Sequence, residues 1–384
     1  MVPVKQKYQL ILLGARASTL RLKFVRRLNK RLDEIGSGIR GLMRIIDAAH
    51  VDDRVSISPT VAVYFGDNPT VDLAQVNDLV TDAVPVLPVV SDLSKFTASV
   101  PAALHPINGM QLDPVNPDFG PLINLVLENL ALLRRTRRLF LSYRRHESTP
   151  VAQQLRTAFD NIGYDAFLDT SSVPKGDEFQ SVLWHRLLDS DVMVVLDTAD
   201  FLGSQYTREE IAKASAMSVG ILQVLWPGVV RSPYSLLATP LQLTSADFNG
   251  DRLTGAAEAR LISEVETLRA RCLAARHTNL VGEFSAEAVR VGATVTIQPQ
   301  RYALAEIAGR RIAAIPAVGV PDAQRYHEAS RHFPAGGVGA DEAVLIYDHR
   351  GMLPEWMTFL DWLDDFLPVK GLRVTDTAMR LEVL

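Results

Sequence analysis

The sequence predicts an α/β chain: parallel sheets packed between helices, arranged as three consecutive domains. Three observations predict it. Short unbroken apolar runs, such as Leu139–Leu141, Ala166–Leu168 and Val192–Leu196, read as strands buried on both faces of a parallel sheet. Between them apolar residues recur at helical spacing, at Val151, Leu155, Ala158 and Phe159 and again at Val182, Leu183, Leu187 and Leu188. The same alternation precedes and follows this stretch, and 384 residues, at about 100–200 per domain, make two or three domains.

In chain order, Tyr8–Leu13 reads as the first strand. Leu20, Phe24, Val25, Leu28 and Leu32 mark an amphipathic helix closed near Gly36. Thr60–Phe65 is a second strand stopped by GDNP, followed by a helix over about 71–79, a strand at Val84–Val90 and an apolar helix at Leu122–Leu133. The charged run RRTRR at 134–138 marks a junction, so residues 1–135 form one small α/β domain. The central domain, 136–278, runs to a last strand at Gly220–Trp226 and then a long helix carrying Leu253, Ala257, Leu261, Val265 and Leu268, which should end near His277 and Asn279. A third small α/β domain, 279–384, shows strands at Arg311–Val318 and Ala343–Tyr347. Its helices fall at Ala323–Ala329 and Trp356–Phe366, the latter with Pro354 in its first turn. Gly336, Gly337 and Gly339 read as a connector, because no strand leads into them as a phosphate-cradling loop requires.

Composition narrows the function. Apolar residues make up 47% and charged residues 22%, ordinary for a globular protein, and the net charge of −4 supplies no field to recruit nucleic acid. The basic clusters at Lys23–Arg31 and Arg134–Arg138 read as solvated helix faces and linker. The single cysteine, Cys272, excludes an intramolecular disulfide and a cysteine metal site, and fits a reducing cytoplasm. No window approaches the ~18 apolar residues of a membrane helix, and the short apolar core Leu10–Leu13 does not make a signal peptide. His146, His185 and His277 have no metal-site spacing; Ser142 lies in no G-x-S-x-G context; neither a Walker sequence nor a strand-linked GxGxxG is present. No metal and no redox use of a nucleotide is expected.

Polar groups gather where the central strands end: Tyr143, Arg144 and Arg145 after the first, Asp169 after the second, Asp197 and Asp200 after the third. In a doubly wound sheet ligands bind at the carboxyl ends of strands, so these residues share one rim. The boxes LFLSYRRHES, YDAFLDTSSVPKGDEF, SDVMVVLDTADF and SQYTREEIAKA, in this order and spacing, resemble the Toll/interleukin-1 receptor (TIR) domain, most closely its bacterial NAD-cleaving members, over about residues 137–275. The resemblance implies a flavodoxin-like central fold. The first domain has the cadence of a degenerate relative, without an SYRR-type box or a counterpart of Glu210, and would be a binding or assembly module.

Glu210 holds the position of the family's catalytic carboxylate, with Tyr206 in the aromatic position that more often carries Trp. Two structural readings compete. Thr207-x-x-Glu210 has the form of a capping box, and Glu209 with Glu210 would favour the positive end of a helix dipole. Arg144 and Arg145 would meet the phosphates or adenine of a dinucleotide, or form surface salt bridges. Tyr143 would stack on a base or sit half-buried, and Asp169 would border the site or cap a local turn. Phe179 and Trp184 read as core. Pro174, Lys175, Gly176 and Asp177 form a turn that can hinge, and the resemblance places them in contacts between protomers.

The function expected is therefore a cytoplasmic NAD+ glycohydrolase. NAD+ is its substrate and no cofactor is needed; it would be an antiphage or stress effector switched on by self-association, without membrane or nucleic-acid partners. The alternatives are a non-enzymatic TIR adaptor acting through homotypic contacts, and a transferase acting on another base–ribose bond.

Overall fold

A computed structural model describes residues 8–15, 19–35, 39–55, 58–130, 132–170, 177–199, 205–298, 301–332 and 339–382. Contacts divide the chain into Met1–Arg135 and Thr136–Leu384. Both are α/β, as the sequence predicts.

The first unit runs β1 (Tyr8–Gly14), α1 (Thr19–Ile35), α2 (Ile39–Leu42), β2 (Met43–Asp47), β3 (Thr60–Phe65), α3 (Leu73–Thr81), β4 (Val86–Val90), α4 (Phe96–Ser99), β5 (Met110–Gln111) and α5 (Gly120–Asn129). Its strands are all parallel, in the order β2-β1-β3-β4-β5. Ile11 and Leu13 alternate with Leu10 and Leu12, so that the first pair packs with Val76 and Leu79 of α3. Phe24 of α1 meets Phe65 and Phe119, both at 5.8 Å between ring centroids. The sequence reading passed over β2 because only Ile46 of its five residues is buried, as on an edge strand.

The second unit begins with β6 (Arg137–Tyr143), α6 (Arg145–Asn161), β7 (Tyr164–Thr170), α7 (Asp177–Asp189), β8 (Val192–Asp197), α8 (Gln205–Ala216), β9 (Gly220–Leu225) and β10 (Thr239–Gln242). The sheet is parallel in the order β10-β9-β8-β6-β7, the same pattern as in the first unit. β9 is therefore not the last strand. β10 (TPLQ) gives little signal, and it tolerates Pro240 because an edge strand can spare one ladder donor.

A short hairpin, β11 (Phe248–Asn249) and β12 (Arg252–Leu253), leads into α9 (Gly255–Arg290), whose first turn is capped by Thr254 accepting from the Ala257 N–H. Here the structure corrects the expected helix end near His277. Leu280, Val281, Phe284 and Ala288 continue the buried stripe past Asn279 and Gly282, and the helix closes before Gly292, at φ +91°. A Cβ on Gly282 would meet nothing, so that glycine weakens the helix without breaking it.

The first half of α9 closes the core over β6, β8 and β9 through Ala257, Leu261 and Val265, while its second half enters a further core. The chain continues as β13 (Thr294–Ile297), β14 (Ala303–Ile307), β15 (Arg310–Pro316), α10 (Ala323–His332), β16 (Glu342–Tyr347), α11 (Pro354–Phe366), β17 (Lys370–Arg373) and α12 (Thr377–Glu382), a mixed sheet in sequential order; α12 shares the core of α9, and α10 and α11 pack in a separate one. The strands β13 and β14 are antiparallel hairpin partners that the sequence reading missed. Of the glycine connector, Gly336 and Gly337 lie outside the described residues, and Gly339 is exposed at φ +67°.

The tie between α9 and the second sheet is electrostatic as well as apolar. Arg269 donates to Asp191 Oδ2 at 2.8 Å with both side chains 0% exposed, and Arg137 pairs with Glu266, which also accepts from the Tyr164 hydroxyl. Among the described residues, no helix is long and apolar enough to cross a membrane.

Candidate functional site

Strand β6 sits between β7 and β8, and its alternation decides what reaches the site. Leu139, Leu141 and Tyr143 face α6 and α9 in one core; Phe140 faces α7 and α8 in the other. Ser142 therefore lies on the α7/α8 face, fully buried, in register with Asp169 on β7 and Val195 on β8. A hydroxyl there needs a partner, since burying it unpaired is costly. Its partner is Glu210, 68 residues further along: Ser142 Oγ donates to Glu210 Oε2 at 2.8 Å, and Glu210 is 0% exposed.

This contact separates the competing readings of Glu210. Helix α8 begins at Gln205, so the Thr207 backbone is helical and does not stand at the N-cap position. Glu210 is the sixth residue of α8, beyond the first turn where the dipole acts on a carboxylate most strongly. One carboxylate oxygen, Oε2, is turned toward the end of the central strand.

A second carboxyl stands close by. Asp197 closes β8, is 1% exposed, and accepts from Gln223 Nε2 of β9 at 2.6 Å. Burial pushes its pKa above the usual carboxylate value, against the opposing effect of the Gln223 hydrogen bond. Val195 separates the two pairs: it is in register with Ser142 on one side and with Gln223 on the other.

With strand order and rim in place, the comparison with known families is decisive for this segment: residues 139–262 match the model of the TIR domain. The central segment is a TIR domain. It spans about a third of the chain and ends within α9. No curated protein matches the chain. Three solved structures with detectable likeness are a tagatose-6-phosphate ketose/aldose isomerase from Escherichia coli, a LacI family transcriptional regulator from Bifidobacterium animalis subsp. lactis and an ABC transporter substrate-binding protein from Desulfitobacterium hafniense. The first is 12% identical, covering 71% of this chain and 83% of its own at a TM-score of 0.21. The second is 11% identical, covering 62% and 84% at 0.20, and the third 10% identical, covering 80% and 99% at 0.21. TM-scores this low carry no argument.

Within the TIR domain the remaining rim residues fall into three groups. Tyr143 belongs to the α6/α9 core, on the opposite face of the sheet from Ser142 and Glu210, so the structure does not bring it to the carboxylate. Arg144 precedes α6, and its guanidinium reaches Glu147 Oε1 at 3.2 Å across a side chain 39% exposed. Such an exposed pair is worth about 0–1 kcal/mol, little enough for a phosphate to displace it. Pro174, Lys175 and Gly176 lie outside the described residues, as do the side chains of Arg145, Asp169, Asp177 and Tyr206. Of these last four the structure gives only the backbone: Arg145 opens α6, Asp177 opens α7, Tyr206 is second in α8, and Asp169 is the register neighbour of Ser142.

Two polar residues of the TIR domain site escaped the sequence reading. Ser142 entered it only as a residue outside any hydrolase motif, and Gln223 not at all. Both were detectable: each interrupts an apolar strand buried on both faces, where a polar side chain requires an explanation. Among the described residues, no three His, Cys, Asp or Glu side chains gather as a metal site.

Proposed function

We propose that the TIR domain cleaves the nicotinamide–ribose bond of NAD+, with Glu210 as the catalytic carboxylate. The observation that carries this reading is the buried Glu210 Oε2–Ser142 Oγ hydrogen bond at the carboxyl end of the central strands, which holds the carboxylate in one orientation. Nicotinamide leaves a cationic pyridinium as a neutral base, so it needs no proton from a general acid, unlike an ordinary glycoside leaving group. What grows in the transition state is positive charge on the ribose. A fixed carboxylate in a water-poor site stabilises that charge strongly, and it orients a water toward the anomeric carbon. Water adds at that carbon, its surplus proton passes to solvent, and the products are nicotinamide and ADP-ribose, or a cyclic product where an internal nucleophile replaces water.

The complete burial of Glu210 in a single chain supports activation by self-association: contacts between TIR domains would admit substrate. In this reading the protein is a cytoplasmic antiphage or stress effector, and the segments flanking the TIR domain sense and assemble. Arg144 and Arg145 would meet the dinucleotide phosphates, Asp169 and Tyr206 would border the ribose and base, and Pro174–Asp177 would lie in the contact between protomers.

The test is incubation of the full chain with NAD+, NADP+ and free nucleosides under crowded conditions, wild type beside Glu210→Ala. Nicotinamide released by the wild type alone is the expected result. Equal release by both moves the site elsewhere, cleavage of nucleosides alone reassigns the substrate, and no release under any assembling condition leaves an adaptor that acts by contact.

A further inference from the structure

The sheet of the first unit leaves one position uncovered. A parallel sheet ordinarily buries both of its faces. On β2, Ile46 packs in the core that holds Val76 and Leu79 of α3. Ile45 points to the opposite face, in register with the buried Leu10, yet it stays 38% exposed. A cavity of about 640 Å³ opens there between α1 and β2, lined by Leu12 and Ile45 from the sheet and by Leu22 and Val25 from the helix. Leu22 is 70% exposed. The α1 side of this groove runs from Arg21 to Asp33, about 18 Å of helix. Its length and place suit one more helix, lying over β2 beside α1.

Charge narrows the occupant. Helix α1 carries six basic residues and two acidic ones, and Arg21, Arg26 and Lys30 flank the groove. Across from them Arg40 pairs with Asp33 at 3.1 Å. A helix that fits is apolar along one edge and acidic beside it. Helix α11 of this same chain has that form. It carries Glu355, Asp361, Asp364 and Asp365 and no basic residue. Phe359, Trp362 and Phe366 stand at i, i+3 and i+7, the spacing by which amphipathic helices anchor in grooves. Their rings form a ladder, with centroids 6.1 and 5.1 Å apart. Trp362 is 54% and Phe366 69% exposed, a contiguous aromatic surface of the kind that marks an interaction site. The three anchors span about 10 Å, well within the length of the groove.

We propose that α11 of one copy of the chain docks in the α1/β2 groove of a second copy. Trp362 and Phe366 cover Leu22 and Ile45, while Asp361 and Asp365 meet the basic flank of α1. The inference deepens the self-association in the reading above and does not rest on its chemistry. Groove and helix are different surfaces, so the contact is heterologous, and each docked copy still offers one unused surface to the next. The buried aromatic anchors supply most of the affinity, and the opposite charges set the approach and the register.

The experiment measures the mass of the full chain by sedimentation velocity over a range of concentrations, without NAD+. Wild type is compared with Leu22→Glu in the groove, Trp362→Glu on α11 and an equimolar mixture of the two. Both positions are exposed, and melting temperatures check that each variant folds. Wild type should associate, and less so at high salt. Each variant should lose at least about tenfold in association constant, as expected for a lost anchor. The mixture holds one intact groove and one intact helix, and should recover a heterodimer that neither variant forms alone. A wild type that stays monomeric at every concentration overturns the contact. So do variants that associate as wild type does, which would place assembly on other surfaces. Loss in only one variant overturns it too, because like surfaces then pair or the groove takes another partner, as does a mixture that recovers nothing. Nicotinamide release is read separately. A chain that assembles this way but leaves NAD+ intact keeps the contact and loses the cleavage reading; one that cleaves NAD+ while both variants assemble normally does the reverse.

Discussion

The two parallel sheets of this chain share one strand order, yet they end differently at the corresponding place. Leu13, sixth in β1, stands where Ser142, sixth in β6, stands in the TIR domain, and it packs under α3 with Val76 and Leu79. A carboxylate reaches the strand end in both sheets. In the TIR domain it is Glu210 of α8, meeting a side-chain hydroxyl. In the first unit it is Asp72, immediately before α3, whose Oδ2 accepts from the Gly14 backbone N–H at 3.0 Å. Beside it the Tyr64 hydroxyl donates to the Asn68 carbonyl, and its pKa is pushed up to about 12 by burial first, then by the Asp72 and Asp67 charges. One architecture thus spends its carboxylate on closing the chain; the other holds it on a side chain that chemistry can use. Strand order sets where a site can form, and the two or three residues at the strand ends set whether one does.

Four substitutions probe that contrast, taken from the largest stability effect down. Asp191→Ala removes the carboxylate paired with the fully buried Arg269 guanidinium and should cost about 3–5 kcal/mol, read as a lowered urea midpoint. Retained stability would mean that the Asp191–Arg269 pair contributes nothing to holding α9 on the TIR sheet. Gly14→Ala should cost about 3 kcal/mol, because φ is +81° and the new Cβ would lie 2.1 Å from the Phe65 carbonyl oxygen. Asp72→Ala leaves the buried Gly14 N–H without its acceptor and should cost about 1–3 kcal/mol. Unchanged stability there would remove the structural role given to the first unit's carboxylate.

The smallest effect has the opposite sign. Because the Asp197 pKa is raised in the fold, its protonated form favours folding below the unfolded value of 3.8, and that contribution is lost as pH rises through the folded-state value. Asp197→Asn should therefore melt slightly higher than wild type at pH 7, and the gap should close below pH 3.8. A variant that melts lower at pH 7 would show that the charged form is stabilised by the fold.

Much of the architecture was legible because buried parallel strands are apolar runs: β1, β3, β6, β8 and β9 all announce themselves. The edges were not. β2 buries one residue, β10 carries a proline, and β17 (KGLR) carries two charges, so tertiary pairing and not composition makes them strands. Asn279 and Gly282 look like stop signals, and α9 runs through them because two cores in succession hold it. Glu210 was legible as a motif residue, but its contact with Ser142 is made by folding across 68 residues, and no local pattern encodes it. Asp72 was missed for a similar reason: a glutamate was sought inside a helix, and the fold used an aspartate just ahead of one.

The claim that the Ser142–Glu210 pair is the reacting centre is tested most directly by the rate of nicotinamide release from NAD+, measured on assembled full-length wild type, Ser142→Ala and Glu210→Gln at matched folding stability. The account predicts release by wild type, roughly tenfold less from Ser142→Ala, whose carboxylate has lost its anchor, and none above background from Glu210→Gln. Equal rates from all three proteins would contradict it.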